Sequence, residues 1–245
     1  MPNLMFDLEE PPLYWAPGKH GKPKLNTMKK LLCLAAAATI TAGAMAQGAG
    51  LKFGAKAGLN ITNLPNNETG WVTKSKMGFH LGGVANYGFG RRGNFSALAE
   101  LLFDTKGAKV QFTNPSGGTE DKPFSLSYIN IPIQARYRLN FGLYFETGPY
   151  LGFLLGARFD GDSEYEDTDS SGNKIMVKYK DELNGSDFGW AYGLGYINES
   201  GWGVGYRGFL GLKDISKDDP NDLDVYIMLN TGSQLSFMWM FGWAD

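Results

Sequence analysis

Residues 127–158 read S-Y-I-N-I-P-I-Q-A-R-Y-R-L-N-F-G-L-Y-F-E-T-G-P-Y-L-G-F-L-L-G-A-R. Every second residue from Ile129 is apolar: Ile131, Ile133, Ala135, Tyr137 and Leu139 follow it. The intervening Tyr128, Asn130, Pro132, Gln134, Arg136 and Arg138 are mostly polar. A period of two marks a strand with one apolar and one polar face. After a break at Asn140-Phe141-Gly142 the pattern resumes, with Leu143, Phe145, Leu151, Phe153 and Leu155 on one face. Tyr144, Glu146 and Tyr150 take the other. Each arm runs about a dozen residues, against ~5–6 for ordinary strands and ~9–11 for a tilted strand that crosses a bilayer. The hairpin reads as one piece of a barrel with its apolar face turned outward.

Working outward, six further statements of the same pattern appear. Strands are expected at 51–59, 78–89, 95–105, in the two arms above, and at 188–196, 202–212 and 224–243. Their connections alternate in length. Those at 90–94, 140–142 and 197–201 are short, whereas 60–77, 106–125, 158–187 and 213–223 are long. The expected fold is all-β: an eight-stranded antiparallel up-and-down transmembrane barrel with short periplasmic turns and four long extracellular loops. Aromatic residues gather at strand ends. Tyr87, Phe89, Phe95, Tyr137, Phe141, Tyr144, Trp202, Trp239, Phe241 and Trp243 group near the short turns, and Phe79, Phe103, Phe124, Tyr128, Phe188 and Trp190 near the long loops. Two such rings read as interfacial girdles. Trp202, Trp239, Phe241 and Trp243 also read as the C-terminal insertion signal.

The start of the chain carries a separate signal. Lys29 and Lys30 precede an apolar run at 31–42 and an A-x-A site at Ala44-Met45-Ala46. Residues 28–46 therefore read as a secretory signal peptide, in preference to a buried alanine-rich helix. Residues 1–27 read as an overcalled start or a disordered extension. The barrel domain is expected at 47–245, which is 245 − 46 = 199 residues. The only cysteine, Cys33, falls in the leader, so an exported chain without disulfides must be stabilised by its architecture. Removing five basic and three acidic residues leaves 18 Lys+Arg against 22 Asp+Glu, a net charge of −4. That balance does not suit nucleic acid.

Four stretches resemble a known family. They are G-L-K-F-G-A-K-A-G-L-N at 50–60, A-E-L-L-F-D-T-K-G-A-K at 99–109, Y-I-N-I-P-I-Q-A-R-Y-R-L at 128–139 and D-F-G-W-A-Y-G-L-G-Y at 187–196. Together they are similar to the PorT-type outer-membrane β-barrel proteins of Bacteroidetes. The resemblance implies an eight-stranded barrel in the outer membrane and implies little about activity. In one respect the chain departs from the pattern: Ala244-Asp245 follow Trp243, where such barrels end on an aromatic residue.

Candidate chemistry is sparse. After the leader the one histidine is His80, and Ser-His catalysis needs an acid behind its base, so no enzyme and no cofactor are expected. Asp160, Asp162, Glu164, Glu166, Asp167 and Asp169 form a hard-oxygen cluster that could hold Ca²⁺, but position twelve counted from Asp167 is Lys178, which breaks the EF-hand pattern. The inward faces would carry Lys52, Lys56, Arg136, Arg138 and Arg207 against Glu100, Asp104 and Glu146. An eight-stranded barrel is just wide enough for its side chains to fill, so these charges should pair and close the lumen. Inward glycines keep a narrow small-solute channel open as an alternative. A soluble lipocalin-like barrel is a second alternative, because periodicity alone does not say which face is inside. Expected partners are outer-membrane lipid and lipopolysaccharide, the barrel-assembly machinery during insertion, and an unidentified protein meeting the long loops.

Overall fold

A computed structural model of the chain describes residues 50–66, 72–89, 94–113, 118–168, 172–217 and 227–243. The leader at 28–46, the extension before it, most of the turn at 90–94, Trp71 and Asp169 lie outside the described residues.

Eight long strands close on themselves. They are β1 (Leu51–Asn63), β2 (Val72–Phe89), β3 (Phe95–Thr113), β4 (Thr119–Arg138), β5 (Leu143–Phe159), β8 (Ser186–Ile197), β9 (Trp202–Gly211) and β10 (Thr231–Met240). A small hairpin of β6 (Glu164–Thr168) and β7 (Lys174–Lys178) sits between β5 and β8. The ring order is β1-β10-β9-β8-β5-β4-β3-β2, with every neighbour antiparallel. Closure is complete because β1 pairs with both β2 and β10. No backbone edge is left, which is the condition for a sheet in hydrocarbon.

The apolar set faces outward. Leu59, Phe79, Leu81, Ile133, Phe145, Leu151, Leu194, Tyr206, Leu235 and Phe237 are exposed. Arg136 and Glu146 are 2% and 5% exposed, whereas Leu151 and Phe237 are 44% and 47% exposed. This excludes the lipocalin-like reading, which needs the reverse. Outward polar groups in the band are satisfied locally. Trp190 Nε1 donates to Thr147 Oγ1 at 2.8 Å, and that hydroxyl donates to the Ala191 carbonyl at 3.2 Å. At the irregularity between Ser75 and His80 in β2, the Thr105 hydroxyl takes the place of the missing ladder bonds. It accepts from the Phe79 N–H at 2.7 Å and donates to the Phe79 carbonyl at 3.0 Å.

Strand lengths differ from the sequence reading in one direction. β3 and β4 run to Thr113 and start at Thr119, so much of the expected loop at 106–125 is strand. β2 likewise begins at Val72. These extensions escaped the pattern because their polarity reverses. Beyond Thr105 and Ser127 the outward residues are Lys109, Ser125 and Asp121, while Ala108, Val110, Phe124 and Leu126 point inward and are buried. β5 follows after a bulge opposite Ser127 and Tyr128, which leaves Ala157 inside and Arg158 outside. β10 spans Thr231–Met240, shorter than the expected 224–243: Met228 makes only an isolated bridge to Asn66, and residues 224–226 lie outside the described residues. The long-loop end is thus a raised collar on the wall of β2 to β5.

Candidate functional site

Along the barrel axis the interior is filled by successive layers of side chains. The layer at the short-turn end is apolar: Val84, Leu98, Tyr144, Ile197, Met238 and Met240, with Trp243 packed against them. Trp243 was expected in the outward girdle with Trp202, Trp239 and Phe241. The last three are exposed, and Trp202 stacks on Trp239 at 4.8 Å. Trp243 instead folds inward, because β10 ends at Met240 and Gly242 has a φ of 57°, a conformation that glycine adopts freely. Lys52 and Arg138 lie over its ring at 5.3 and 5.1 Å, and Lys52 Nζ donates to its carbonyl at 2.9 Å. These two cations were expected in the lumen charge network and belong instead to the mouth of the barrel.

Tyr144 is also displaced from the expected girdle. It shares a strand face with Glu146, so it points inward and is 1% exposed. Its hydroxyl end occupies the space left by Gly195 and Gly205, where a Cβ would collide with it. Gly195 and Gly205, two of the inward glycines that could have left a channel, are therefore seats for a neighbour's ring. Phe124 and Tyr128 are buried in the same way rather than lying in the upper girdle.

Above this layer sit the paired charges. Arg207 Nη1 and Nη2 donate to Glu100 at 2.6 and 2.8 Å, and Nε and Nη2 donate to Glu146 Oε1 at 2.9 and 2.6 Å. Arg136 donates to Glu146 Oε2 through Nη2 at 2.7 Å and Nε at 3.2 Å, with its guanidinium 4.0 Å from the Tyr144 ring centroid. Lys56 donates to Glu100 at 3.0 Å. The planar fork of arginine lets one side chain join two carboxylates, which a lysine cannot reproduce. Asp104 accepts from the side-chain amides of Asn60, Asn130 and Gln234.

A further pair was missed by sequence reasoning. Lys106 Nζ lies 3.2 Å from Asp187 and faces the rings of Tyr150, Phe209 and Tyr128 at 4.5, 4.8 and 5.1 Å. Asn230 donates to Asp187 and to the Tyr128 hydroxyl. Lys106 has the same parity as Asp104 in D-T-K-G-A-K, so its inward aim was legible once β3 was extended past Thr105. Among the described residues the buried charges are Lys56, Lys106, Arg136 and Arg207 against Glu100, Asp104, Glu146 and Asp187. Four cations thus face four carboxylates. The cavity between these layers, bounded by Asp104, Lys106, Asn130, Tyr150, Arg207 and Gln234, has about 20 Å³, room for about one water.

His80 is held rather than poised. Its ring nitrogens lie 2.7 Å from Asn60 Oδ1 and 2.9 Å from Ser236 Oγ. Hydroxyl, imidazole and amide occur in the order of a nucleophilic triad. All three residues are buried, however, and none lines this cavity. These contacts tie β1, β2 and β10 together across the ring.

Among the described residues the carboxylates of the acidic loop meet lysines and backbone amides. Asp160 lies 3.9 Å from Lys122, Glu164 pairs with Lys178 at 3.6 Å and Glu166 with Lys174 at 2.5 Å. Asp167 accepts from the Thr168 N–H, and Asp162 joins a turn with Phe159. Among the described residues no group of three metal-ligating side chains converges. Strand alternation in β6 and β7 sets Glu164 and Glu166 beside Lys178 and Lys174 of the partner strand. Nearby, burial pushes the Tyr165 and Tyr179 phenols above their ordinary range.

The family model for the outer membrane protein beta-barrel domain matches residues 45–217, more than half of the chain. No curated protein matches it. Among solved structures, Ail, the attachment invasion locus protein of Yersinia pestis, in complex with the heparin analogue sucrose octasulfate, is 15% identical. The alignment covers 79% of this chain and 100% of that one, with a TM-score of 0.41. OprG from Pseudomonas aeruginosa is 11% identical over 79% of this chain and 96% of that one, with a TM-score of 0.43. Neisserial surface protein A is 14% identical over 78% and 99%, also with a TM-score of 0.43.

Proposed function

We propose a scaffold role from one premise: the chain belongs to the outer membrane protein β-barrel domain family. The protein is an outer-membrane β-barrel. Its role is non-enzymatic: the barrel holds a collar at the cell surface that serves as a recognition surface. The lumen is closed by its own side chains and does not conduct. The observation that carries this reading is the unbroken filling of the interior, apolar at both ends and ion-paired between. A cavity sized for one water admits no solute.

Planar-bilayer recording tests it. The purified protein is expected to give no unitary currents. Stable currents that disappear in Glu146→Gln would overturn the closed scaffold and favour the narrow channel.

The strand motifs at 50–60, 99–109, 128–139 and 187–196 support placement in the PorT-type branch, and residues 28–46 serve as the export leader. The outward Trp202, Trp239 and Phe241 anchor the barrel in lipid and present the last strand to the assembly machinery. Mass spectrometry of the exported protein checks the leader, with Gln47 as the expected first residue.

A further inference from the structure

We propose that the outer wall at the foot of the collar, on β3, β4 and β5, binds the phosphate of a phosphorylated glycolipid in the outer leaflet. The inference rests on the placement of the collar at the cell surface and names a partner for its lipid-side foot. Depth comes from the strand register. Phe103, Ile129 and Phe153 stand side by side as the uppermost complete apolar row of this wall. Toward the loops follow Thr105 opposite Ser127, then Gly107, Ser125 and Arg158 in one row, then Lys109. Ser125 lies four residues beyond Ile129. At ~3.4 Å per residue and a strand tilt of ~40°, that is about 10 Å above the apolar row, at the level of lipid head groups.

Positive charge at that level is in surplus. Arg158 and Lys109 are exposed and meet no carboxylate among the described residues. Lys109 also stands directly opposite Lys74 on β2, and like charges in that position destabilise a sheet. The nearby acids are engaged: Asp121 with Lys74 and Gln111, and Asp160 with Lys122. An anion bound between Arg158 and Lys109 offsets the repulsion that the fold leaves in place.

The spacing suits one phosphate. Arg158 and Lys109 are separated by two strand spacings of ~4.8 Å and one residue pair of ~6.8 Å, which sets their Cα atoms about 12 Å apart. Both side chains are long enough to converge over the gap, where Gly107 has no side chain and Ser125 offers a hydroxyl. The guanidinium grips phosphate through its fork, and the ammonium acts as a point charge. On the opposite wall, β8 and β9 carry outward Phe188 and Leu210 near their loop ends. The lipid is therefore held on one side of the barrel, with its acyl chains along Phe103, Ile129 and Phe153.

Native mass spectrometry of the protein released from lipid nanodiscs tests this, with bisphosphorylated lipid A and its dephosphorylated form as probes. The wild type is expected to retain lipid A and to retain the dephosphorylated form about ten-fold less. Lys109→Glu combined with Arg158→Glu should remove that preference, and Lys109→Gln with Arg158→Gln should reduce it if the first pair fails to insert. Lys174→Glu, a charge reversal on the exposed β6–β7 hairpin, should leave retention unchanged. Equal retention of the two lipids overturns phosphate recognition. A preference that survives in both double variants, or that falls equally in Lys174→Glu, overturns the site. Millimolar inorganic phosphate is expected to leave the lipid in place, and displacement by it overturns the lipid as the source of the phosphate. Labelling of Lys174→Cys on intact cells with a membrane-impermeant maleimide checks the placement separately. A collar that labels but retains no lipid A sinks the site alone, whereas an exported protein that does not label sinks the recognition collar itself.

Discussion

The belt and the collar are built from the same strands and obey opposite rules. In the belt, β3 and β4 present Phe103, Ile129 and Ile133 outward and keep Asp104, Asn130 and Arg136 inside. A few residues further along the same strands, Lys109 and Ser125 are outside and Ala108, Val110, Phe124 and Leu126 inside. Neither strand changes parity between the two regions; their pairing continues in register from Leu102↔Asn130 to Thr113↔Thr119. What changes is the solvent. Lipid makes apolar side chains indifferent to facing out and forces charges inward into pairs. Water restores the ordinary hydrophobic driving force, so the collar has an oil-like core and a wet wall.

Substitutions that exchange the rules between regions test this contrast. Glu146→Ala should have the largest effect, because it leaves Arg136 and Arg207 short of a buried partner. A loss of about 3–5 kcal/mol is expected, measured by urea unfolding in lipid vesicles. Leu126→Ala removes a fully buried side chain of the collar and should cost about 2–5 kcal/mol. Hydrogen exchange should localise that loss to β3 and β4 above Thr105, with belt amides protected as before. An outward arginine scan of β4 sharpens the boundary. Ile133→Arg should cost about 2–4 kcal/mol and Ser125→Arg about 0–1 kcal/mol; similar costs at the two sites would mean that the belt extends into the collar. Smallest is the exposed Lys74–Asp121 pair across the collar. Lys74→Ala should cost less than about 1 kcal/mol, and high salt should erase the difference.

Within the belt the sequence was nearly sufficient. Alternation in 127–158 placed Arg136 and Glu146 on the inner face and Leu151 and Phe153 on the outer, as the structure has them. It failed in the collar because strand ends were read from where outward apolar residues stop, and Thr105 and Ser127 mark a change of solvent rather than a chain reversal. Lys106, Asp187, Asn60 and Ser236 were missed for related reasons. Asn60, Lys106 and Asp187 fall in stretches whose pattern reads as loop, and Ser236 is unremarkable until neighbours surround it. Trp243 misled because parity was extended beyond Met240 through a glycine turn.

The number of barrel strands, the alternation of faces along the belt and the need for closure were determined by the chain alone. They are local properties: successive side chains in an extended backbone alternate, and a strand's own residues report its surroundings. Which inward charges meet was decided by the tertiary structure. Arg207 joins Glu100 and Glu146 across separations of 107 and 61 residues, and Lys106 meets Asp187 across 81. Those meetings depend on how the strands stagger when the cylinder closes, a geometric relation among all eight strands that no single strand contains.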